Sequence, residues 1–120
     1  MSRPVHFEIH GADPERAVRF YTEVFGWTID RWDDQEYWLL GTGTGTPGID
    51  GAAAPSQEHG QPVVLTMEVG DLRAATARVR EAGGTVVVDR APIPGVGWLA
   101  TATDPNGVLF GLMQPDTEAG

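Results

Sequence analysis

The sequence predicts an α+β fold of two βαβββ modules in tandem, whose curved mixed sheets surround a cleft. Segments with the period-two pattern of strands alternate with segments that have helical periodicity. The two halves also match each other when one is shifted onto the other, since Asp13 then falls on Asp71 and Gly26 on Gly84. An internal duplication explains this correspondence most simply.

The length of 120 residues favours a single domain, spanning 1–120. Its predicted parts are module one at about 3–54, a linker at about 55–61 and module two at about 62–115.

Module one opens with a strand over Pro4–His10, in which apolar and polar side chains alternate. Asp13 caps the helix that follows, Pro14 occupies its first turn and Gly26 ends it. Aromatic and aliphatic residues then predict two further strands, and the Gly-rich stretch after them predicts an irregular segment with one short strand. These predicted segments are Trp27–Trp32, Glu36–Leu40 and residues 41–61, with the short strand near Ile49.

Module two repeats this order. A strand over Pro62–Val69 precedes a helix that Asp71 caps and Gly83 with Gly84 ends. The remaining predicted strands are Thr85–Val88, Gly97–Thr103 and Val108–Gln114.

Composition excludes several classes of function. With 8 basic and 17 acidic residues the net charge is −9, which argues against nucleic acid and would attract cationic ligands. The chain has no Cys and no Lys, so thiolate metal sites and Schiff-base chemistry are excluded. No stretch approaches the ~18 apolar residues of a membrane span and no apolar signal core is present, so we expect a cytoplasmic protein without membrane contact.

The polar side of the first strand carries the first candidate site. His6 and Glu8 share this face, where they could form a metal pair, a general base with its orienting carboxylate, or polar anchors for a ligand. His10 lies where strand becomes loop and is expected to have a surface or capping role. His59, in the linker, is expected to be solvated.

Aromatic residues suggest that the cleft is mainly apolar. Trp27, Tyr37, Trp38 and Trp98 could wall a pocket for a flat or elongated ligand. The predicted ligand-binding residues are His6, Glu8, Trp38, Val64, Thr66, Trp98, Leu109 and Met113. No catalytic residue is assigned.

The segments VHFEIHGADPERAVRFYTEVFGW and GVGWLATATDPNGVLFGLMQ resemble the vicinal oxygen chelate superfamily. This superfamily includes glyoxalase I, extradiol dioxygenases, fosfomycin-modifying enzymes and bleomycin-binding resistance proteins. The resemblance covers nearly the whole chain and implies the tandem fold. It leaves the chemistry open, since members of the superfamily catalyse several reactions and some catalyse none.

The resemblance also implies where metal-dependent members would hold their ion. His6 matches the ligand position on the first strand, whereas the corresponding residue of module two is Val64. The carboxylate position on the last strand falls on Gly111, and that of module one falls near Asp50 or Gly51. Val64 and Gly111 offer no donor atom, so we expect no tightly bound metal and no cofactor.

These observations predict a cytoplasmic homodimer that binds a small organic ligand, cationic or aromatic, as glyoxalase/bleomycin-resistance-like proteins do. The alternative is a metal-dependent lyase, isomerase or dioxygenase of the same superfamily that uses His6 and Glu8. Whether one chain or two chains form the cleft is left open.

Overall fold

The computed structural model describes residues 2–120, which divide into two compact units. The N-terminal unit comprises His6–Val64, and the C-terminal unit comprises Leu65–Gly120 together with residues 2–5.

The N-terminal unit has one helix and a four-stranded mixed sheet in the order β2-β3-β4-β1. Strand β1 pairs with β4 in parallel, and β3 is antiparallel to both β4 and β2. The elements are β1 (Pro4–Gly11), α1 (Pro14–Phe25), β2 (Thr28–Arg31), β3 (Trp38–Gly41) and β4 (Asp50–Pro55).

Helix α1 begins and ends as its sequence predicts. The Asp13 carboxylate accepts a hydrogen bond from the Arg16 backbone N–H at 3.1 Å, and Pro14 lies in the first turn. Gly26 ends the helix with a φ of 72°, a left-handed conformation that costs a glycine little. No helix within residues 2–120 has both the length and the apolar character that crossing a bilayer requires.

The face of the N-terminal sheet under α1 forms that unit's apolar core. Val18 of the helix packs with Trp38, Leu40 and Ala53, and Phe7 lies against the same cluster. Since side chains alternate along a strand, this packing turns the even-numbered residues of β1 to the opposite face.

The C-terminal unit repeats this arrangement with the strand order β5-β8-β7-β6. Strand β5 is parallel to β8, and β7 is antiparallel to both β8 and β6. The elements are β5 (Val63–Glu68), α2 (Leu72–Glu81), β6 (Thr85–Ile93), β7 (Gly97–Thr103) and β8 (Leu109–Pro115). The structure therefore confirms the predicted α+β fold and its two βαβββ repeats.

The core of the C-terminal unit lies under α2. Val69, Leu72, Ala100 and Leu112 are buried there, with Met67 among the partly buried residues around them. The helix begins at its predicted cap, since the Asp71 carboxylate accepts the Ala74 N–H at 3.1 Å.

Two elements differ from the prediction. The stretch 41–61, expected to be irregular with one short strand near Ile49, contains the six-residue strand β4, in which Ala52, Ala53 and Ala54 are buried. Strand β6 continues to Ile93, five residues beyond its predicted end, through two shifts of register. Such irregularities bend and twist a strand pair locally, and β6 is paired with β7 on both sides of them.

Candidate functional site

The candidate site is a cluster of polar side chains on the face of β1 that points away from α1. Phe7 packs into the core under the helix, so His6, Glu8 and His10 project from the other face. The side chains of His6 and Glu8 are 28% and 25% exposed, whereas that of His10 is 4% exposed. The structure thus confirms that His6 and Glu8 share a face, and it shows that His10, on the same face, is bonded to Glu8.

Tyr37, which directly precedes β3, completes the cluster. Its hydroxyl donates a hydrogen bond to Glu8 Oε2 at 2.8 Å. The same hydroxyl oxygen lies 3.0 Å from His6 Nε2, while His6 Nε2 and Glu8 Oε2 are 3.7 Å apart. The phenol oxygen therefore bridges the imidazole and the carboxylate.

Glu8 is held ionised by its neighbours. Burial alone would raise its pKa, but the hydrogen bonds that involve His6, His10 and Tyr37 outweigh burial and lower the pKa to about 2. An ionised carboxylate can only accept hydrogen bonds, so His10 Nε2, 2.8 Å from Glu8 Oε1, is the donor in that pair. Each carboxylate oxygen thus has a donor, and the group carries a fixed negative charge at neutral pH.

The hydrogen-bond directions also assign the proton on His6. Burial, followed by the negative charge of Glu8 and the hydrogen bond to it, raises the pKa of Tyr37 far above its usual value, so the phenol stays protonated. Its single proton is committed to Glu8, so His6 Nε2 must donate to the phenol oxygen. In its neutral form His6 then presents an unprotonated Nδ1, which can accept a proton or a hydrogen bond from a ligand.

His10 differs from its predicted surface or capping role, because its side chain is buried and bonded to Glu8. Its Nδ1 is buried and has no hydrogen-bond partner among residues 2–120. The ring of His59 lies 5.3 Å away, measured between ring centroids, and His59 Nδ1 accepts the Gln61 backbone N–H. His59 is exposed, as expected of a linker residue.

The two tryptophans predicted to bind ligand lie on the helix-covered faces of their units. Trp38 belongs to the core cluster under α1. Trp98 packs at the core under α2, and its indole N–H donates to Asp116 at 3.1 Å. Trp38 therefore does not lie on the face that carries His6 and Glu8, and Trp98 does not lie on the equivalent face of the C-terminal sheet. Their role in ligand binding remains a prediction.

The remaining predicted residues follow the expected alternation. Thr66 precedes Met67 of the core under α2, so Thr66 faces away from that helix. Leu109 and Met113 on β8 flank the core residues Phe110 and Leu112 and share the orientation of Thr66. Val64, the last residue of the N-terminal unit, is 7% exposed.

The sequence indicated Tyr37 as a possible pocket wall, but Tyr37 was not among the predicted ligand-binding residues. A signal was present, because Tyr37 and Trp38 are adjacent and adjacent strand residues point to opposite faces. Because Trp38 fills the core, Tyr37 is the one of the two that points to the opposite face.

Comparison with known proteins agrees with this architecture. A sequence model of the Glyoxalase/Bleomycin resistance protein/Dioxygenase superfamily matches residues 3–112. The chain belongs to this superfamily. A crystal structure of a superfamily member from Vibrio splendidus superimposes with a TM-score of 0.68 at 20% identity, covering 95% of this chain and 99% of that one. At this level of identity the likeness shows the fold alone.

Two curated relatives of this glyoxalase-superfamily chain are longer proteins. One is CFP32 of Mycobacterium tuberculosis, a candidate glyoxylase by its name, which is 33% identical over 85% of this chain and 40% of its own length. The other is the anthracycline biosynthesis protein DauV of a Streptomyces species, 27% identical over 98% of this chain and 48% of its own length. The chain therefore spans less than half the length of these relatives.

Because some members of the superfamily depend on a metal ion, we asked whether the side chains of this chain could hold one. Within residues 2–120 no three His, Cys, Asp or Glu side chains are placed to hold one ion. A Cβ at Gly111 would lie 2.8 Å from Thr66 Oγ1, so a carboxylate there would require Thr66 to move. Asp50 accepts hydrogen bonds from the Thr42 backbone N–H at 2.9 Å and from its hydroxyl at 3.2 Å. The residues present do not fit the metal site that the resemblance implies, since zinc or iron sites use about three protein ligands.

Proposed function

We propose that this chain binds a small cationic aromatic molecule, that the polar face of β1 anchors the cation, and that no tightly held metal takes part. The observation that carries the proposal is the ionised Glu8, which is held in one position by Tyr37 and His10 and remains a quarter exposed. A preorganised charge of this kind attracts an ammonium group without a cost for reorganising the site. The net charge of −9 adds a long-range attraction of the same sign.

His6 supplies the second anchor. Its Nδ1 is an acceptor in the neutral form and its ring is 28% exposed, so it can receive a hydrogen bond from an ammonium or hydroxyl group of the ligand. Tyr37 fixes the ring by accepting from Nε2. The two anchors together orient a ligand that donates hydrogen bonds.

The choice of probe follows from the relatives. DauV is named as an anthracycline biosynthesis protein, and anthracyclines that carry an amino sugar combine a planar aromatic system with an ammonium group. Such a compound matches the charge of Glu8. Its aglycone, which lacks the amine, provides a matched ligand without the cation.

The binding test is a fluorescence titration of the full chain with the amino-sugar anthracycline and with its aglycone. Glu8→Gln is expected to weaken binding of the amine about fivefold to tenfold, as for the loss of ~1 kcal/mol of charge interaction, and to leave the aglycone unchanged within about twofold. Glu23→Gln, an exposed carboxylate on α1, is the control. Absence of saturable binding by both compounds, or equal weakening of both by Glu8→Gln, contradicts the proposal.

The metal test is elemental analysis of protein purified without a tag or chelator. We expect far less than one transition-metal ion per chain. About one ion per chain that disappears in His6→Ala would overturn the metal-independent proposal and favour the lyase, isomerase or dioxygenase alternative.

A further inference from the structure

The C-terminal unit has a surface cavity of about 330 Å³ between α2 and β6. Its walls are Leu72, Arg73, Thr76, Arg80, Asp89 and Arg90. These residues belong to the C-terminal unit, whereas His6, Glu8 and Tyr37 belong to the N-terminal unit.

The cavity is lined mainly by positive charges, whereas the chain as a whole is negatively charged. All eight basic residues of the sequence are arginines, and the net charge is −9, yet Arg73, Arg80 and Arg90 line this one cavity with a single acid, Asp89. A local excess of positive charge in an acidic protein creates a field that concentrates anions at that point.

The arginines are arranged on a structured wall. Arg73, Thr76 and Arg80 follow each other at intervals of three and four residues, so they share one side of α2. Leu72 and Thr76, which also line the cavity, are buried, 2% and 3% exposed.

Arg90 is held from the opposite side. Its guanidinium lies 4.0 Å from the ring centroid of Trp98, and the indole N–H of Trp98 is bonded to Asp116 at 3.1 Å. Stacking on an indole orients a guanidinium while its N–H groups can still donate, and the Asp116 carboxylate attracts the same guanidinium.

The acid in the wall competes only weakly. Arg80 Nη2 and Asp89 Oδ1 are 3.6 Å apart, and their side chains are 54% and 72% exposed. An ion pair that is exposed to this extent contributes little, so an incoming anion can replace Asp89 at Arg80.

Two amide groups at the start of α2 are already engaged within the chain. The Leu72 N–H donates to Gln114 Oε1 at 2.8 Å, and the Ala74 N–H donates to the carboxylate of Asp71. Anion binding would therefore depend on the arginine side chains, which form paired hydrogen bonds with phosphate oxygens.

We propose that the cavity lined by Arg73, Arg80 and Arg90 binds the phosphate group of a small phosphorylated molecule. Its volume lies near the lower end of the ~300–1,000 Å³ of ligand pockets, which suits a phosphorylated metabolite. The proposal is independent of the site on β1, because it rests on different residues in the other unit.

The test is a chemical-shift titration of the full chain with inorganic phosphate, pyrophosphate and ADP at constant ionic strength. We expect saturable binding whose shifts centre on α2 and β6. Tighter binding of ADP or pyrophosphate than of phosphate supports a phosphorylated molecule as the occupant, whereas equal affinities identify free phosphate and contradict the proposal.

Four variants decide whether the cavity is the binding site. Arg73→Gln and Arg80→Gln should each weaken binding about fivefold to tenfold, whereas Arg78→Gln, on the same helix but outside the cavity, should change it less than about twofold. Asp89→Asn should strengthen binding about twofold, because it releases Arg80.

Two further results would overturn the proposal. One is the absence of saturation for all three probes. The other is a loss in Arg78→Gln as large as the loss in Arg80→Gln, which would show attraction to the general charge of α2. Melting curves of each variant establish that it is folded before it is titrated.

Discussion

Replacing Glu8 with Gln should destabilise the chain by an amount that depends on pH. The pKa of Glu8 falls from 4.5 to about 2 on folding. A depression of about 2.5 pKa units corresponds to roughly 3 kcal/mol of stability at neutral pH. The side chain is 25% exposed, so solvent screening reduces this figure only modestly. Gln also replaces one acceptor oxygen with a donor, so it cannot receive both of the hydrogen bonds that Tyr37 and His10 make.

The sign follows from the direction of the pKa shift. A carboxylate whose pKa is lowered by folding stabilises the fold above its unfolded pKa, and this contribution disappears as the pH falls through the folded value. The pH-dependent part of the difference between the wild type and Glu8→Gln should therefore remain large down to about pH 4.5 and be mostly lost near pH 2.

Urea unfolding followed by tryptophan fluorescence at a series of pH values measures this difference. Other carboxylates titrate in both proteins, so their contributions cancel in the comparison. Glu23→Gln, on the exposed side of α1, should change stability by less than about 0.5 kcal/mol throughout. A constant difference between wild type and Glu8→Gln from pH 7 to pH 2 would refute the conclusion that Glu8 is an ionised anchor.

Further predictions concern the fold that positions the site. Leu40, 1% exposed, should lose about 2–5 kcal/mol of stability on mutation to Ala, measured by urea unfolding; a loss below about 1 kcal/mol would contradict its place in the core. Gly51→Ala should lower the melting temperature, because a Cβ there would meet the backbone and ring of Phe7, while Gly11→Ala, with open space around it, should not; equal melting temperatures would refute this. Asp71→Ala should cost about 1 kcal/mol through loss of the α2 cap, and no loss in urea unfolding would show that the cap is dispensable.

The elements that could be predicted are those whose signals are local. The cap at Asp13, the stop at Gly26 and the alternation of β7 each lie within a few residues of the structure they specify, and Gly97–Thr103 has its predicted bounds. Strand β4 lacks such a signal because Gly, Ala and Pro have low strand propensity. It forms through its pairing with β1 and β3, contacts that are distant in sequence. Its small residues are required there, since Gly51 lies directly against Phe7.

The candidate site was predictable only in part for the same reason. Parity alone places His6, Glu8 and His10 on one face of β1. Parity does not reveal that the chain returns to His10, whose ring lies 5.3 Å from that of His59 and whose backbone N–H donates to Pro62 O at 2.7 Å. Nor does it reveal that Tyr37, 29 residues from Glu8, reaches the carboxylate. Both depend on how separate segments meet, which a pattern within one segment does not contain.

The hydrogen bonds around Glu8 determine what chemistry the site can support. A carboxylate with a pKa of about 2 is a poor proton acceptor at neutral pH, because a general base acts best when its pKa lies near the working pH. Its two oxygens are already engaged by Tyr37 and His10, so a cation that required direct coordination would first have to displace a bonded phenol or imidazole. Of the two unprotonated ring nitrogens in the cluster, His10 Nδ1 is buried, so His6 Nδ1 is the basic atom that a ligand can reach. Any proton transfer on this face would therefore pass through His6, while Glu8 and Tyr37 orient its ring.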